Sequence, residues 1–285
     1  MGLTLTYKNS LGSVIMQGGG GSSPLRITAI EGLGLATREY ITAVYTGYDG
    51  QETTSSRATS RSITIAVEVA ANNITAVIHN TLDVLSQSGM LYIDDGTMHR
   101  RIMCNQVQIP DIERVLRSQI ATFAVQFVCD SPYFEDGEDT VVPLYRRTKG
   151  LSTPFTLPRS FGEIVAGGVV ENKGSIPIEP IITIYYPSAL DGIDGITLKN
   201  ETTGKVISLD YSPTGEDTVV IDVKNRKITS KIAGSLLNNL SDDTFLGDFV
   251  LERGNNEISV DLGDVAKGFG IECKFSNLYS EAVIC

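Results

Sequence analysis

Helical periodicity is confined to one stretch of this chain, and that constrains the fold more than any other feature. Between residues 74 and 88 the apolar side chains recur at helical spacing and form one stripe: Ile74, Val77, Ile78, Leu82 and Leu85. Asn72 or Asn73 can cap the start of this helix, and Gly89 lies where a C′ glycine belongs. We therefore predict one helix, 74–88, in a chain that is otherwise mainly β.

The second half of the chain repeats short β-type runs separated by Gly, Asn, Asp and Ser clusters. This spacing is typical of a β-sandwich. The first run lies within Glu171–Pro187, where the β-branched residues begin at Ile176. Because Pro177 and Pro180 cannot donate ladder hydrogen bonds, we predict that this strand is an edge strand or carries a bulge.

The first half contains a long polar segment between two predicted strands, Tyr40–Tyr45 and Arg61–Val69. The segment, Thr46–Ser60, has no aliphatic side chain larger than alanine. It is either a mobile loop or a protruding hairpin arm, and long polar loops in compact domains are often functional. Both readings stay open at the level of sequence.

The length of the chain, 285 residues, suits two domains of ordinary size. We predict an N-terminal β-sandwich domain at 1–145 that contains the helix and the arm. A linker with Pro and Gly follows at 146–170, and a second β-sandwich domain at 171–285. The predicted fold class is mainly β, with two β-sandwich domains.

Charge is distributed unevenly along the chain, whose net charge is −11. This acidity argues against non-specific binding of nucleic acid. The first 170 residues hold 13 basic side chains, of which 11 are Arg. The enrichment reflects either solvation or a role in interfaces, where the planar guanidinium makes paired contacts. We take four residues in and beside the arm as candidate oligomer-interface residues: Tyr48, Asp49, Arg57 and Arg61.

Residue patterns that carry chemistry are missing from the sequence. It has two histidines, His79 and His99, and none of the common hydrolase, zinc-protease, phosphate-loop or dinucleotide motifs. Its four cysteines fit no metal motif, so free thiols in a reducing compartment are the default. No stretch approaches the apolar length of a membrane helix. We therefore predict no catalytic residue, no cofactor, no metal site and no membrane contact, and we do not expect an enzyme.

Two other functional classes stay open. A β-sandwich can bind carbohydrate, although the second half has no Trp and offers only four tyrosines for stacking: Tyr185, Tyr186, Tyr211 and Tyr279. A hydrolase would need a carboxylate pair in a cleft, and the acidic pairs of this sequence lie in predicted turns.

The order of several short segments carries a family resemblance. In chain order they are Gly32-Leu33-Gly34, Asp49-Gly50, Arg61-Ser62-Ile63-Thr64-Ile65, Phe127-Val128-Cys129-Asp130-Ser131-Pro132-Tyr133-Phe134, Asn172-Lys173-Gly174, Pro177-Ile178-Glu179-Pro180, Asn200-Glu201-Thr202-Thr203-Gly204 and Gly254-Asn255-Asn256. Over nearly the whole chain, this order resembles the distal tail protein family of long-tailed bacteriophages. The Gly-rich joint Gln17–Ser23 departs from the family pattern.

The resemblance implies an N-terminal ring-forming β-sandwich with one helix and an arm, and a galectin-like C-terminal β-sandwich. It implies a homo-hexameric ring in the virion tail, assembled in the host bacterial cytoplasm. One face of the ring would meet the tail tube protein and the other the baseplate hub or tip protein. DNA would pass through the ring without specific binding. The alternative is a carbohydrate-binding module that attaches to the host surface.

Overall fold

The computed structural model describes residues 2–109, 111–114, 120–147, 164–187, 195–213, 215–261 and 269–282. Its contacts divide the chain into two compact units, residues 1–137 with 278–285 and residues 138–277. The strands up to residue 137 are β1 Thr4–Asn9, β2 Gly12–Gln17, β3 Leu25–Glu31, β4 Arg38–Ala43, β5 Glu52–Ala58, β6 Arg61–Ala70, β7 Gly89–Asp94, β8 His99–Cys104, β9 Gln106–Gln108, β10 Ile112–Arg114, β11 Ile120–Cys129 and β12 Phe134–Asp136. The later strands are β13 Thr140–Arg147, β14 Ile164–Ala166, β15 Gly168–Asn172, β16 Ile181–Tyr186, β17 Ile196–Asn200, β18 Lys205–Leu209, β19 Asp217–Asp222, β20 Lys227–Ser230, β21 Gly234–Ser235, β22 Gly254–Asp261, β23 Gly270–Phe275 and β24 Leu278–Tyr279.

The first unit is built on an 11-stranded sheet with the order β10-β11-β6-β3-β2-β1-β7-β8-β12-β24, and β9 also pairs with β11. Strict alternation of side chains explains its core, because β6 and β11 bury every second residue over their ten-residue lengths. The sheet closes where the chain passes from β8 through Asn105 into β9, since β9 pairs with β11 at the far end of the strand order. Strands β8 and β11 therefore come into contact.

Helix α1, Ile74–Leu85, packs on this sheet and buries Ile74, Val84 and Leu85. The Asn73 side chain accepts a hydrogen bond from the backbone N–H of Ala76, as the predicted cap requires. The helix ends three residues before the predicted residue 88. Gly89 is not a C′ glycine, because it already belongs to β7 and a Cβ there would lie 2.5 Å from the Lys8 carbonyl oxygen.

Strands β4 and β5 form a separate two-stranded hairpin, with Arg38 opposite Ala58 and Ala43 opposite Glu52. Almost every residue of the hairpin is exposed to solvent. The structure thus decides between the two readings of the polar segment: it is one strand and the turn of a hairpin arm. We call residues 38–58 the hairpin arm.

The second unit contains a seven-stranded sheet, β14-β13-β23-β16-β19-β20-β21, and a four-stranded sheet, β15-β22-β17-β18. All of their pairings are antiparallel, and alternate residues of the strands are buried. Two short 3-10 turns, Leu237–Asn239 and Leu246–Asp248, are the helical elements of the described part of this unit. The predicted mainly β class with one α-helix is confirmed for the described residues.

The predicted edge position of the first strand after residue 171 is wrong. Strand β16 lies between β19 and β23 and is hydrogen-bonded on both sides. Pro177 and Pro180 both precede the ladder, which begins at Ile181, so neither proline removes a donor from it.

Two strands join a different unit from the one that the sequence suggested. Strand β13 pairs with β23, so residues 140–147 belong to the second unit and not to the first domain that was predicted to end at residue 145. Strand β24 pairs with β12 and returns the chain to the first unit. Of the predicted linker 146–170, residues 148–163 lie outside the described residues, and residues 164–170 contribute to β14 and β15.

Candidate functional site

Exposed apolar side chains are concentrated on the hairpin arm and on the turn that leads into it. Six large ones lie between residues 35 and 48: Leu35, Tyr40, Ile41, Val44, Tyr45 and Tyr48. Tyr48 at the tip is 80% exposed and Val44 is 74% exposed. Large apolar side chains exposed together in one segment are a feature of interaction sites in soluble proteins.

The hairpin arm is held together by polar contacts between its own strands. The Arg57 guanidinium forms an exposed ion pair with Glu39 at 2.7 Å. Arg38 donates to the Ser56 hydroxyl at 3.2 Å, and Thr54 Oγ1 donates to the Ile41 carbonyl where the register shifts. A solvated two-stranded ribbon is marginally stable by itself, so the arm gains most from packing against another surface.

Arg61 lies at the root of the arm, by which we mean the residues on either side of the arm that join it to the first unit. Arg61 is 6% exposed. Its Nε donates to the Pro132 carbonyl at 2.8 Å, Nη1 to the carbonyls of Gly32 and Gly34 at 2.5 and 2.8 Å, and Nη2 to that of Ser280 at 2.6 Å. The guanidinium also lies 4.5 Å from the centre of the Phe134 ring. Burial lowers the pKa of Arg61, and nearby Cys129 and Glu281 oppose that shift.

The turn before β4 is fixed by backbone geometry as well. Gly32 has φ +91°, and a Cβ there would lie 2.2 Å from the Ser62 carbonyl oxygen. Leu33 is buried, and its carbonyl accepts from the N–H of Ala282. The contacts of Gly32, Leu33 and Arg61 therefore fix the direction in which the arm leaves the first unit.

The four predicted interface residues do not all lie at an exposed surface. Tyr48 and Asp49 lie together in the exposed tip, and Arg57 lies on the exposed face of β5. Arg61 does not belong with them, because its guanidinium is buried and donates to carbonyls of its own chain. The Arg61 side chain therefore stabilises its own subunit and is not available to a neighbouring one. The sequence reading missed two apolar residues of β4, Tyr40 and Ile41, which are exposed and pair with a strand that has no apolar residue larger than alanine.

Two open pockets of about 400 Å³ occur elsewhere in the described residues. One, of about 420 Å³, lies between β2, α1 and the Gly-rich joint, where Ser23 Oγ donates to the Ile15 carbonyl. The other lies in the second unit beside β18 and is lined by Lys205, Asp243 and the exposed ring of Phe245. Lys205 is paired there with Asp248 at 2.7 Å.

The four tyrosines considered for sugar stacking do not form one site. Tyr186 is buried and packs edge-on against Tyr211 and Phe269, and burial raises its pKa. Tyr279 lies under the Arg100 guanidinium at 3.5 Å in the first unit. Tyr185 is partly exposed, and its hydroxyl donates to Glu272. None of the four lines the pocket beside Phe245.

The part of the chain that the structure describes contains no group of three or more His, Cys, Asp or Glu side chains placed to bind a metal ion. His99 Nδ1 lies 3.0 Å from an Asp94 carboxylate oxygen, and His79 lies 3.8 Å from Asp83 on the exposed side of α1. The described residues also include no helix long and apolar enough to cross a membrane.

Comparison with solved structures relates the whole chain to phage tail components. The chain is similar to the Dit protein of phage SPP1, with 11% identity and a TM-score of 0.66 over 97% of this chain and 98% of that one. That protein is described as a paradigm of the hub adsorption apparatus in Gram-positive-infecting phages. It is also similar to chains of the phage P2 baseplate in its activated conformation. The structure with Ca gives a TM-score of 0.51 at 12% identity and covers 97% of this chain and 98% of that one. The structure with Sr gives a TM-score of 0.50 at 12% identity and covers 97% of each chain.

Comparison with sequence families points the same way. A search of curated proteins gives no match. Residues 173–279 match the family model described as the C-terminal domain of a siphovirus-type tail component. Residues 173–279 therefore match a siphovirus-type tail component domain, and the chain as a whole has the fold of the SPP1 Dit protein.

Proposed function

We propose that this chain assembles into a hexameric ring that connects the tail tube to the baseplate hub or tip protein. The observation that carries the proposal is the hairpin arm, which exposes large apolar side chains and is joined to the first unit beside the buried Arg61. In this proposal the arm is the contact between neighbouring subunits, and Tyr48, Asp49 and Arg57 lie at that contact.

The hairpin arm has backbone edges and apolar side chains that contacts with its own described residues leave exposed. Its two strands leave both outer edges without strand partners among the described residues. Unpaired edges and exposed aromatic side chains are features that protein interfaces bury. In a ring, a neighbouring copy of the chain would cover these edges and side chains at every position.

The acidity of the chain suits a channel for DNA. A protein that neutralises few phosphates binds the backbone weakly at moderate salt. With a net charge of −11, a ring of this chain lets DNA pass without retaining it. We place the tail tube and the hub or tip protein on opposite faces of the ring, with assembly in the host bacterial cytoplasm before the virion is released.

Light scattering followed by negative-stain imaging tests the ring. The expected result is a mass six times the 30.7 kDa of the chain and a six-fold ring with a central hole. The arm is then deleted by joining Thr37 to Thr59 through two glycines, which the hydrogen bond from Thr59 N to the Thr37 carbonyl at 2.9 Å permits. A folded monomer is expected from this variant. Rings that persist after the deletion would refute the role of the arm.

A charge placed at the tip gives a finer test with a matched control. Tyr48→Asp puts a carboxylate into the proposed contact, whereas Phe245→Asp makes the same change at a 69% exposed ring of the second unit. Tyr48→Asp is expected to lower the mass in solution, and Phe245→Asp is not. Equal effects of the two variants would contradict an interface at the arm.

The pocket beside Phe245 favours a second candidate function, the binding of a surface glycan. It combines an exposed aromatic ring with charged and hydroxyl groups, among them Lys205, Ser208 and Asp243, which is the mixture that sugar hydroxyls and sugar faces require. A glycan array tests it: binding that Phe245→Ala abolishes and Tyr185→Ala preserves would support this function. An array without hits would leave the ring as the function of the chain.

A further inference from the structure

Two buried cysteines in the first unit lie in direct contact. Cys104 ends β8 and Cys129 ends β11, and their Sγ atoms are 3.6 Å apart. Both side chains are fully buried, and both are free thiols. A disulfide has an S–S distance of about 2.05 Å, so a shift of about 1.5 Å separates this contact from a covalent bond.

The pair lies where the sheet of the first unit closes. The N–H of Asn105 donates to the Val128 carbonyl at 2.9 Å, and the N–H of Asp130 donates to the Asn105 side chain at 3.1 Å. These bonds hold the backbone beside both cysteines in place. A bond between the two sulfur atoms would therefore link β8 to β11 at this point of the sheet.

The environment makes the two thiols chemically different. Cys129 lies directly opposite Arg61 in the pairing of β11 with β6. The hydrogen bond with Cys104 lowers the pKa of Cys129, and the Arg61 guanidinium lowers it further against the effect of burial. The same hydrogen bond and burial raise the pKa of Cys104. Since the thiolate is the reactive form, Cys129 is the nucleophile of the pair and Cys104 is the thiol that resolves it.

We propose that Cys104 and Cys129 form a convertible dithiol, which is reduced in the cytoplasm and becomes a disulfide on exposure to a peroxide. The Cys129 thiolate attacks one peroxide oxygen, the O–O bond breaks, and the sulfur becomes a sulfenic acid while the other oxygen leaves as water. The Cys104 sulfur then attacks the Cys129 sulfur, the S–O bond breaks, and a second water leaves with the proton of Cys104. Two thiols are oxidised, and one peroxide is reduced to two waters.

Cys273 provides an internal comparison. It is buried in β23 of the second unit, and burial raises its pKa to about 12. A thiol with that pKa holds very little thiolate at neutral pH, so it reacts slowly with peroxide. Cys129 differs from Cys273 because a second thiol lies against it and Arg61 lies opposite it in the strand pairing.

The benefit of the bond rests on the proposed function, although its chemistry does not. A tail component leaves a reducing cytoplasm for an environment in which disulfides persist. A buried bond formed at that point would lock the unit that carries the hairpin arm and leave its surface unchanged.

Peptide mapping of the full chain tests the proposal without any substitution. Trypsin places the four cysteines in separate peptides, with Cys104 in 102–114, Cys129 in 118–146 and Cys273 in 268–274. After treatment of the reduced, folded protein with hydrogen peroxide, we expect peptides 102–114 and 118–146 to be joined, with the loss of two hydrogens, and Cys273 to remain a thiol. Dithiothreitol should restore both thiols.

Two variants assign the roles of the sulfur atoms. Cys104→Ala should abolish the link and leave a Cys129 sulfenic acid that dimedone traps, whereas Cys273→Ala should leave the link unchanged. Persistence of both thiols in the folded wild type would overturn the proposal, and so would labelling of Cys273 at the same rate as Cys129. Light scattering of the same samples reports the ring separately, so failure of the thiol chemistry and failure of the ring are distinguishable.

Discussion

Replacing Arg61 with methionine is expected to destabilise the first unit by about 3–5 kcal/mol. The substitution removes four hydrogen bonds of 2.5 to 2.8 Å from a guanidinium to carbonyl oxygens. Hydrogen bonds to a charged donor contribute about 1.5–3 kcal/mol each, and a buried carbonyl without a donor costs about 1–3 kcal/mol. The desolvation of the guanidinium, which is no longer required, offsets part of this loss. The contact with the Phe134 ring adds about 1 kcal/mol.

Scanning calorimetry and urea unfolding measure this effect. Because Arg61 and its partners lie in the first unit, only the transition of that unit should shift to lower temperature. The matched control is Arg57→Met, which breaks an exposed ion pair and should change the free energy of unfolding by less than about 1 kcal/mol. An Arg61→Met protein as stable as the Arg57→Met protein would refute the view that Arg61 holds the root of the arm.

Three further predictions concern single positions. Gly32→Ala should destabilise the first unit by about 2–4 kcal/mol in urea unfolding, because the new methyl group would lie 2.2 Å from the Ser62 carbonyl oxygen. The control is Gly47→Ala, which has φ +88° and open space around it and should destabilise the protein by about 1 kcal/mol. Tyr48→Asp should leave the melting temperature unchanged while it lowers the mass in solution, and a drop in both would indicate a folding defect instead. Burial raises the pKa of Asp217, but hydrogen bonds from hydroxyl and backbone N–H groups outweigh this effect and lower the pKa overall. The stability that this carboxylate contributes is therefore present above about pH 4, and it is lost as the pH falls through the folded-state pKa. Asp217→Asn should remove that part of the pH dependence of unfolding, and an unchanged acid limb would contradict the assignment.

The elements that local sequence defines were predictable. The stripe that begins at Ile74 gave the helix, and Asn73 gave its cap, because both depend on residues within a few positions of each other. The end of the helix was not predictable from Gly89. That glycine is required by the close approach of Lys8, a residue far away in the sequence.

The assignment of strands to sheets depends on long-range pairing and was predicted less well. Pro177 and Pro180 indicated a disrupted strand, but they precede the ladder of a fully paired one. Several arginines of the first half serve its own strands: Arg100 and Arg101 form ion pairs of 3.0 Å with Asp136 and Glu135 across β8 and β12. Composition alone cannot distinguish such an arginine, or the buried Arg61, from one that faces a partner.

The return of β24 to the first unit sets an order on synthesis. The ribosome must make all of residues 138–277 before Leu278 can pair beside β12 and before the Ser280 carbonyl can reach Arg61. During that time the hairpin arm of the nascent chain lacks the contact between Arg61 and the Ser280 carbonyl. The surface that we propose for assembly thus acquires its final direction only after the second unit has been translated.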